Sequence, residues 1–296
     1  LGLRQLAWTE PAGEPIRVSL LQGNIPQEQK WQRAMRVPSI NRYLEMTGSV
    51  PDSRIVVWPE TAVPAFDSEV ESTLLVPLHE QLRAQQRDVL LGIVAGRDDA
   101  DYYNAMMSLG VSGRDHYHKR HLVPFGEFLP FDEWTRPVLD FLHIPMSDFS
   151  VGGNGKPRIS LAGYPAGIDI CYEDAFAAEV LRALPEAAFL VNASNDAWFG
   201  DSLAPHQHLQ IARMRALESG RYLLRATNTG ISAIIDPRGG LLRQAPQFAQ
   251  AVLSGTVRPM QGVTPYVRWG DVPCLSLALV VLAGAPFRAW RRRNGR

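Results

Sequence analysis

Three residues of types that cooperate in nucleophilic catalysis occur at comparable places in the chain: Glu60, Lys119 and Cys171. Cys171 follows Ile168 to Ile170, which read as a buried strand, and acidic residues able to start a helix come next. A thiol at such a strand-to-helix turn lies at the open edge of a sheet, near free backbone N–H groups. Those groups lower a thiol pKa and can hold an oxyanion. Taken alone, the same stretch also fits a core cysteine, because free cysteine packs as a small hydrophobe. Glu60 follows Ile55, Val56, Val57 and Trp58, consecutive apolar residues as in a strand buried on both faces. Strand ends at one edge of an α/β sheet line the crevice where ligands bind. Meeting there, Glu60 would take the thiol proton, and Lys119 would stabilise the thiolate and then the oxyanion of a tetrahedral intermediate. The backbone N–H of Tyr172 would be the second oxyanion donor.

The elements that must position these groups alternate along the chain. Strands are predicted over 16–22, 54–58 and 89–94, with a helix from about 69 to 87 carrying Leu74, Leu75, Leu78 and Leu82 at helical spacing. Segments 103–111 and 116–123 flank Ser112-Gly113-Arg114-Asp115, a hairpin signal that places Lys119 in the second arm. Pro124 to Pro130 breaks both periods and forms a loop carrying Glu127. A helix over 134–142, strands over 164–170 and 188–193, a helix over 205–219 and strands over 222–226, 231–235 and 252–257 complete the pattern. Strands and helices alternate in places and pair as hairpins in others. This predicts an α/β fold with mixed sheets and helices outside, in one domain.

The totals exclude several classes. A chain of 296 residues, 46% hydrophobic, is ample for one large domain, and its zero net charge gives no basic field for nucleic acid. Two cysteines, Cys171 and Cys274, make no disulfide framework. The chain starts at Leu1 with no initiator methionine and no signal-peptide pattern, as expected of a fragment or a processed product. Val272 to Phe287 contains no charged residue, has Trp269 and Trp290 near its ends, and precedes Arg288, Arg291, Arg292, Arg293 and Arg296. These 16 residues fall short of the ~20 that span a bilayer. The flanking tryptophans and arginines still predict a short or tilted transmembrane helix over 272–290, with a cytoplasmic tail at 291–296. The other reading of this segment is a buried terminal helix with a basic tail. His116, His118 and His121 lack a cysteine or carboxylate completing a tetrahedral set, so no metal is expected. No Gly-x-Ser-x-Gly elbow occurs, which argues against a serine lipase.

Trp58-Pro59-Glu60, His118-Lys119 leading to Val123-Pro124-Phe125-Gly126-Glu127, and Cys171-Tyr172-Glu173 together resemble the nitrilase, or carbon–nitrogen hydrolase, superfamily. Further motifs are similar to its apolipoprotein N-acyltransferase branch: Gln22 to Gln27 with Lys30-Trp31, Thr61-Ala62, Tyr103-Asn104, Pro145 to Phe149, and Ser194 to Gly200. As an ordered set over 16–265 these are specific, whereas each alone is weak.

The resemblance implies a nitrilase-like α-β-β-α sandwich over 16–265, a linker over 1–15 from a preceding membrane region, and a Glu60-Lys119-Cys171 triad without cofactor. It implies transfer of a fatty acyl chain from a phospholipid, through a Cys171 thioester, to the α-amine of a diacylglyceryl-apolipoprotein. The expected place is the bacterial inner membrane, with the catalytic domain on the periplasmic side. By the same carry-over Glu127 tunes Lys119, Tyr172 and Glu173 shape the pocket, and Trp31, Asn104 and Arg136 support it. Exposed aromatics around Phe125, Phe128, Leu129 and Phe131, and around Trp198 and Phe199, would mark membrane contact. The competing reading is a soluble amidase or nitrilase in which the same triad delivers water to a C–N bond.

Overall fold

A computed structural model of the chain describes residues 6–96, 101–128, 130, 148–155 and 157–294, with 284–294 as backbone only. In chain order, β1 (Thr9–Pro11) and β2 (Ile16–Gln22) lead to the short helix α1 (Gln27–Lys30) and to α2 (Arg33–Gly48). Next come β3 (Ile55–Val57), β4 (Val63–Phe66), α3 (Asp67–Val70), a π-helical turn (Glu71–Leu75) and α4 (Val76–Ala84). β5 (Asp88–Gly96), β6 (Tyr102–Gly110) and β7 (Asp115–His118) close the first half. The second half holds β8 (Arg158–Leu161), β9 (Tyr164–Ile170), a 3-10 turn (Cys171–Ala175), α5 (Ala177–Leu181) and β10 (Phe189–Ser194). A second 3-10 turn (Asp196–Phe199), α6 (Ala204–Ser219), β11 (Leu223–Thr227), β12 (Ala233–Ile235) and β13 (Leu241–Gln244) follow. β14 (Ala251–Val257), β15 (Met260–Gly262), α7 (Pro265–Trp269) and α8 (Val272–Asn294) end the chain.

Two mixed sheets result. The first runs β14-β2-β3-β5-β6-β7, with β4 also paired to β5; the second runs β13-β12-β11-β10-β9-β8. β2, β3 and β5 are parallel, as are β9, β10 and β11, and the outer pairs are antiparallel. The central strands are apolar on both faces because both faces are covered. Val18, Leu20, Ile55, Val57 and Leu90 of the first sheet meet Ile168, Ile170, Val191, Ala193 and Leu224 of the second in one buried layer. On the outer side of the first sheet, Val56, Val89 and Leu91 pack under Tyr43, Met46, Leu75, Leu78 and Leu82. On the outer side of the second, Leu190, Leu223 and Ile235 pack under Val180, Leu209, Ala212 and Ala216. This is the expected helix–sheet–sheet–helix sandwich.

The boundaries depart from expectation where side chains take over backbone bonding. β7 stops at His118: the Lys119 amide still donates to Asn104 O at 2.8 Å, but the next two amides, of Arg120 and His121, turn to the Glu173 carboxylate. Strand β4 was not anticipated, because Pro64 reads as a breaker; it lies in parallel beside β5. Residues 9–11 of the supposed linker pair with β15. The helix expected over 134–142 lies outside the described residues.

The expected transmembrane helix needs correction. A helix does form over Val272–Asn294, yet among the described residues no helix is long and apolar enough to cross a membrane. Pro273, Ser276, Gly284 and Pro286 dilute the uncharged stretch, and arginines begin at Arg288. The buried alternative also fails, since Leu275, Leu277, Leu279 and Leu282 are exposed.

The turn that carries Glu60 is clamped from both sides. Trp58 is buried, stacks on Tyr43 at 5.2 Å and donates from Nε1 to Thr47 Oγ1 at 2.9 Å. On the other side, a Cβ at Gly92 would stand 2.4 Å from both Pro59 O and Thr61 N, so glycine lets β5 approach this turn. Gly92→Ala should therefore lower unfolding free energy by about 1–3 kcal/mol in urea titration and slow reaction at Cys171. Unchanged stability and reactivity would show that the turn is not held by this contact.

Candidate active site

Glu60 lies three residues past β3, Lys119 one residue past β7, and Cys171 directly after β9. The first two come from one sheet and the third from the other. The sandwich brings all three predicted triad residues together, with Glu127 and Asn104. Lys119 Nζ stands 2.9 Å from Glu127 Oε1 and 3.3 Å from Glu60 Oε1. Asn104, on β6, uses its amide nitrogen the same way, donating to Glu60 Oε1 at 2.7 Å and to Glu127 Oε1 at 2.8 Å. Carboxylates only accept, which fixes the amide orientation. The other Glu127 oxygen accepts from Val123 N at 2.9 Å, tying the 123–128 loop to the site.

The electrostatics set the resting state. Burial alone would lower the Lys119 pKa, but Glu60, a Cys171 thiolate and Glu127 together raise it, so Lys119 remains an ammonium. At Cys171, burial and then the Glu60 charge push the thiol pKa well above its ordinary value, against the pull of Lys119 and a hydrogen bond from Ser194. The resting nucleophile is therefore a thiol and requires a base. Two carboxylates act on it, Glu60 and more weakly Asp196, and Asp196 is already bonded to Arg225 and His208, so Glu60 suits the proton-transfer role better.

Glu173 is placed differently from Glu127. It is fully buried and accepts from Ile170 N at 2.8 Å, Arg120 N at 2.7 Å, His121 N at 3.1 Å and Tyr117 Oη at 2.8 Å. Four donors fill both carboxylate oxygens, so Glu173 ties the Lys119 segment to the Cys171 turn. Burial raises its pKa, and the backbone N–H groups of Arg120, Ile170 and His121 oppose that rise. Tyr172 is 40% exposed, its ring edge-on to Phe176. Trp31 is half-exposed at the end of α1, and Phe125, Trp198 and Phe199 are exposed as well. Phe128 is half-buried. Arg136, Leu129 and Phe131 lie outside the described residues.

Sequence reasoning missed the support under the nucleophile. Cys171 has φ +51°, a conformation that is uncommon for a residue with a side chain. Its carbonyl is held by Asn192 Nδ2 and His208 Nε2, each at 3.2 Å. His208 also places Nε2 2.9 Å from Asp174 Oδ1 and Nδ1 2.9 Å from Asp196 Oδ1. Both ring nitrogens face carboxylates, so both carry protons. Burial and Arg225 lower the His208 pKa, but Asp174 and Asp196 outweigh them and raise it to about 9. Arg225 Nη2 pairs with Asp196 Oδ2 at 2.8 Å and Nη1 donates to Asn192 Oδ1 at 2.5 Å. Against the effect of burial, Arg225 and His208 hold Asp196 well below the usual carboxylate range. Asn192 completes the row by donating to Asp169, whose pKa is raised by burial and by Asp174. A signal existed: Asp169, Asn192 and Arg225 each interrupt an apolar strand, and they lie side by side in the sheet register.

This network carries a pH signature. A histidine whose folded pKa is raised from 6.5 to about 9 contributes stability that is fully present below about 6.5 and lost as pH rises through 9. The stability gap between wild type and His208→Gln should shrink from pH 6 to pH 9.5, its pH-dependent part being on the order of 3 kcal/mol. Urea unfolding at the two pH values measures it. A gap independent of pH would mean that the ring is neutral.

Residues 17–264 match the carbon–nitrogen hydrolase family. The apolipoprotein N-acyltransferase of Methylococcus capsulatus (strain Bath) is 51% identical over 292 residues, 98% of this chain and 57% of that protein. That of Nitrosomonas europaea is 49% identical over 287 residues, 96% of this chain and 57% of that protein. The chain thus spans somewhat over half the length of these curated relatives. Among solved structures, Saccharomyces cerevisiae Nit3, a member of branch 10 of the nitrilase superfamily, superposes with a TM-score of 0.60 at 18% identity. That match covers 83% of this chain and 90% of Nit3. A carbon–nitrogen hydrolase from Helicobacter pylori G27 gives a TM-score of 0.61 at 15% identity, over 82% and 89% of the two chains. At such identities these structures speak for the fold. With its sandwich and most of its length matched, this chain belongs to the carbon–nitrogen hydrolase family.

Proposed function

We propose that this chain is the catalytic part of an apolipoprotein N-acyltransferase. The observation that carries the reading is the convergence of Glu60, Lys119 and Cys171 in a chain about half identical to such enzymes along nearly its whole length. In the first half-reaction Glu60 takes the Cys171 proton, and the thiolate attacks the ester carbonyl of a phospholipid. Lys119 and the Tyr172 N–H hold the oxyanion; an amide in the first turn of a helix has no partner within that helix. Collapse breaks the ester C–O bond, and Glu60 returns its proton to the departing alkoxide, leaving a lysophospholipid and a Cys171 thioester. In the second half-reaction the α-amine of a diacylglyceryl-apolipoprotein attacks the thioester carbonyl. Glu60 takes the amine proton and passes it to the departing Cys171 sulfur, leaving an amide.

Two features favour a lipid substrate over a small amide hydrolysed by water. Trp31, Phe125, Tyr172, Trp198, Phe199 and Leu203 are large apolar side chains left exposed on loops and turns that include those flanking the triad. Helix α8 exposes leucines and valines from Val272 to Leu282. Exposed apolar surface of this kind suits contact with a bilayer, and a site pressed against lipid keeps water from the thioester. The similarity to bacterial apolipoprotein N-acyltransferases supports a place at the inner membrane, with the catalytic domain on the periplasmic side.

The full-length protein in detergent, incubated with phospholipid, should carry a fatty acyl thioester on Cys171, seen as a mass increase and lost in hydroxylamine. Cys171→Ala should abolish the adduct, and Glu60→Gln should slow its formation by about 100-fold or more. Absence of the adduct, with ammonia released from small amides instead, would support the amidase reading.

A further inference from the structure

Among the buried groups that this reading leaves without a task, one lies against the reacting carboxylate's own turn. Lys30 ends helix α1 and is 3% exposed, whereas its neighbour Trp31 is 52% exposed. Its Nζ donates to the backbone carbonyl of Glu60 at 3.0 Å. Helix α1 is itself anchored to the opposite sheet's loops. Asn24 N donates to Asn228 O at 2.9 Å, Ile25 N to Asn228 Oδ1 at 3.0 Å, and Asn195 Nδ2 to Gln27 Oε1 at 2.8 Å. The segment follows β2 and brings the lysine to the back of Glu60, in the turn after the neighbouring strand β3.

Packing gives no reason for an ammonium in this place. Among the described residues no carboxylate forms an ion pair with Lys30, and a lone backbone carbonyl compensates a buried charge poorly. The charge balance of the site does give one. Glu60, buried, and Glu127, half-buried, share Lys119 and Asn104, so two carboxylates face a single close cation. Like charges sharing a site disfavour double ionisation. We propose that Lys30 is a positioning residue and the second cation of the active site, fixing the Glu60 turn through its carbonyl and placing a positive charge beside Glu60 and the Cys171 thiolate that forms when Glu60 takes the proton.

The charges facing Lys30 are Glu60 in the turn after β3 and Cys171 after β9. Lys119 and Glu127 lie one hydrogen bond beyond, and Glu28 on its own helix is exposed. Burial lowers the Lys30 pKa to about 8, with Glu60 and then Cys171 pulling it upward. The ammonium is therefore present below about pH 8 and fades above it.

The proposal rests on Glu60 serving as base to Cys171, and its test needs no phospholipid, so it stands or falls separately from acyl transfer. The rate of Cys171 alkylation by iodoacetamide is followed by intact mass from pH 5 to 10 in the full-length protein, its Lys30→Met and Lys30→Arg variants, with melting temperatures alongside. Lys30→Met should melt no lower than wild type. It should alkylate about tenfold more slowly at pH 6, where Lys30 is charged, and within about twofold of wild type at pH 9, where Lys30 is mostly neutral. Lys30→Arg, keeping the charge, should retain the wild-type rate at pH 6. Equal loss at every pH, or no loss at any, would overturn the proposal. If Lys30→Met does not fold, Lys30→Gln carries the same comparison, and failure of both to fold would assign Lys30 to the fold instead.

Discussion

Two carboxylates, Glu60 buried and Glu127 half-buried, and the ammonium they share are the constraint from which the site's construction follows. Glu60 and Glu127 are acceptors only, and leaving either unpaired in the interior would cost more than the fold can spare. Lys119 and Asn104 answer by each donating to both. That arrangement requires the ends of β3, β6 and β7 and the 123–128 loop to meet within hydrogen-bond distance. Trp58 and Gly92 fix the first of these, and the Glu127 bond to Val123 N fixes the loop. The Lys119 pKa is raised despite burial because its partners are fixed in place before any substrate arrives.

The second sheet solves a different problem. Cys171 must leave β9 with a positive φ, a conformation that nothing in its own side chain favours. Its carbonyl is held by Asn192 and His208, which in turn are held by Asp169, Asp174, Asp196 and Arg225. Glu173 then links this turn to the amides just past Lys119, so the cation and the nucleophile, carried by different sheets, are positioned by one carboxylate. Strain at the nucleophile is thus balanced by a polar network on the outer face of the sheet, away from the reacting atoms.

How much of this was legible in the sequence depended on the kind of force at work. Strands β2, β5, β9 and β14 and helix α6 were readable because continuous apolar runs and helical periodicity report burial directly. Glu60, Lys119, Glu127 and Cys171 could be named because each follows a readable element or lies in a Pro/Gly loop. β7 was overestimated because its end is set by Glu173, a partner more than 50 residues away, and β4 was missed because Pro64 hides an edge that needs no donor. His208 was invisible, and Lys30 stood out only as part of the Lys30-Trp31 motif with no role attached, because a polar residue in a helix carries no mark of what it faces. The Asp169–Asn192–Arg225 row was readable in principle, as one polar position recurring in three apolar strands; only the pairing register shows that the three are neighbours.

The raised thiol pKa bears on how the proposed acyl transfer would run. On that proposal, Cys171 rests as a thiol and attacks only when Glu60 takes its proton. The same property makes the sulfur a poor leaving group, because a thiolate expelled into a desolvated, carboxylate-flanked pocket is costly unless Glu60 reprotonates it. Water or an amine attacking the thioester can each give a proton to Glu60, which then supplies the proton that the departing sulfur needs. The triad geometry is thus compatible with either acceptor. On the proposed reading, what tips the balance is which molecule reaches the thioester, and the exposed apolar side chains of Trp31, Phe125, Tyr172, Trp198 and Phe199 would suit a lipid-borne amine better than bulk water.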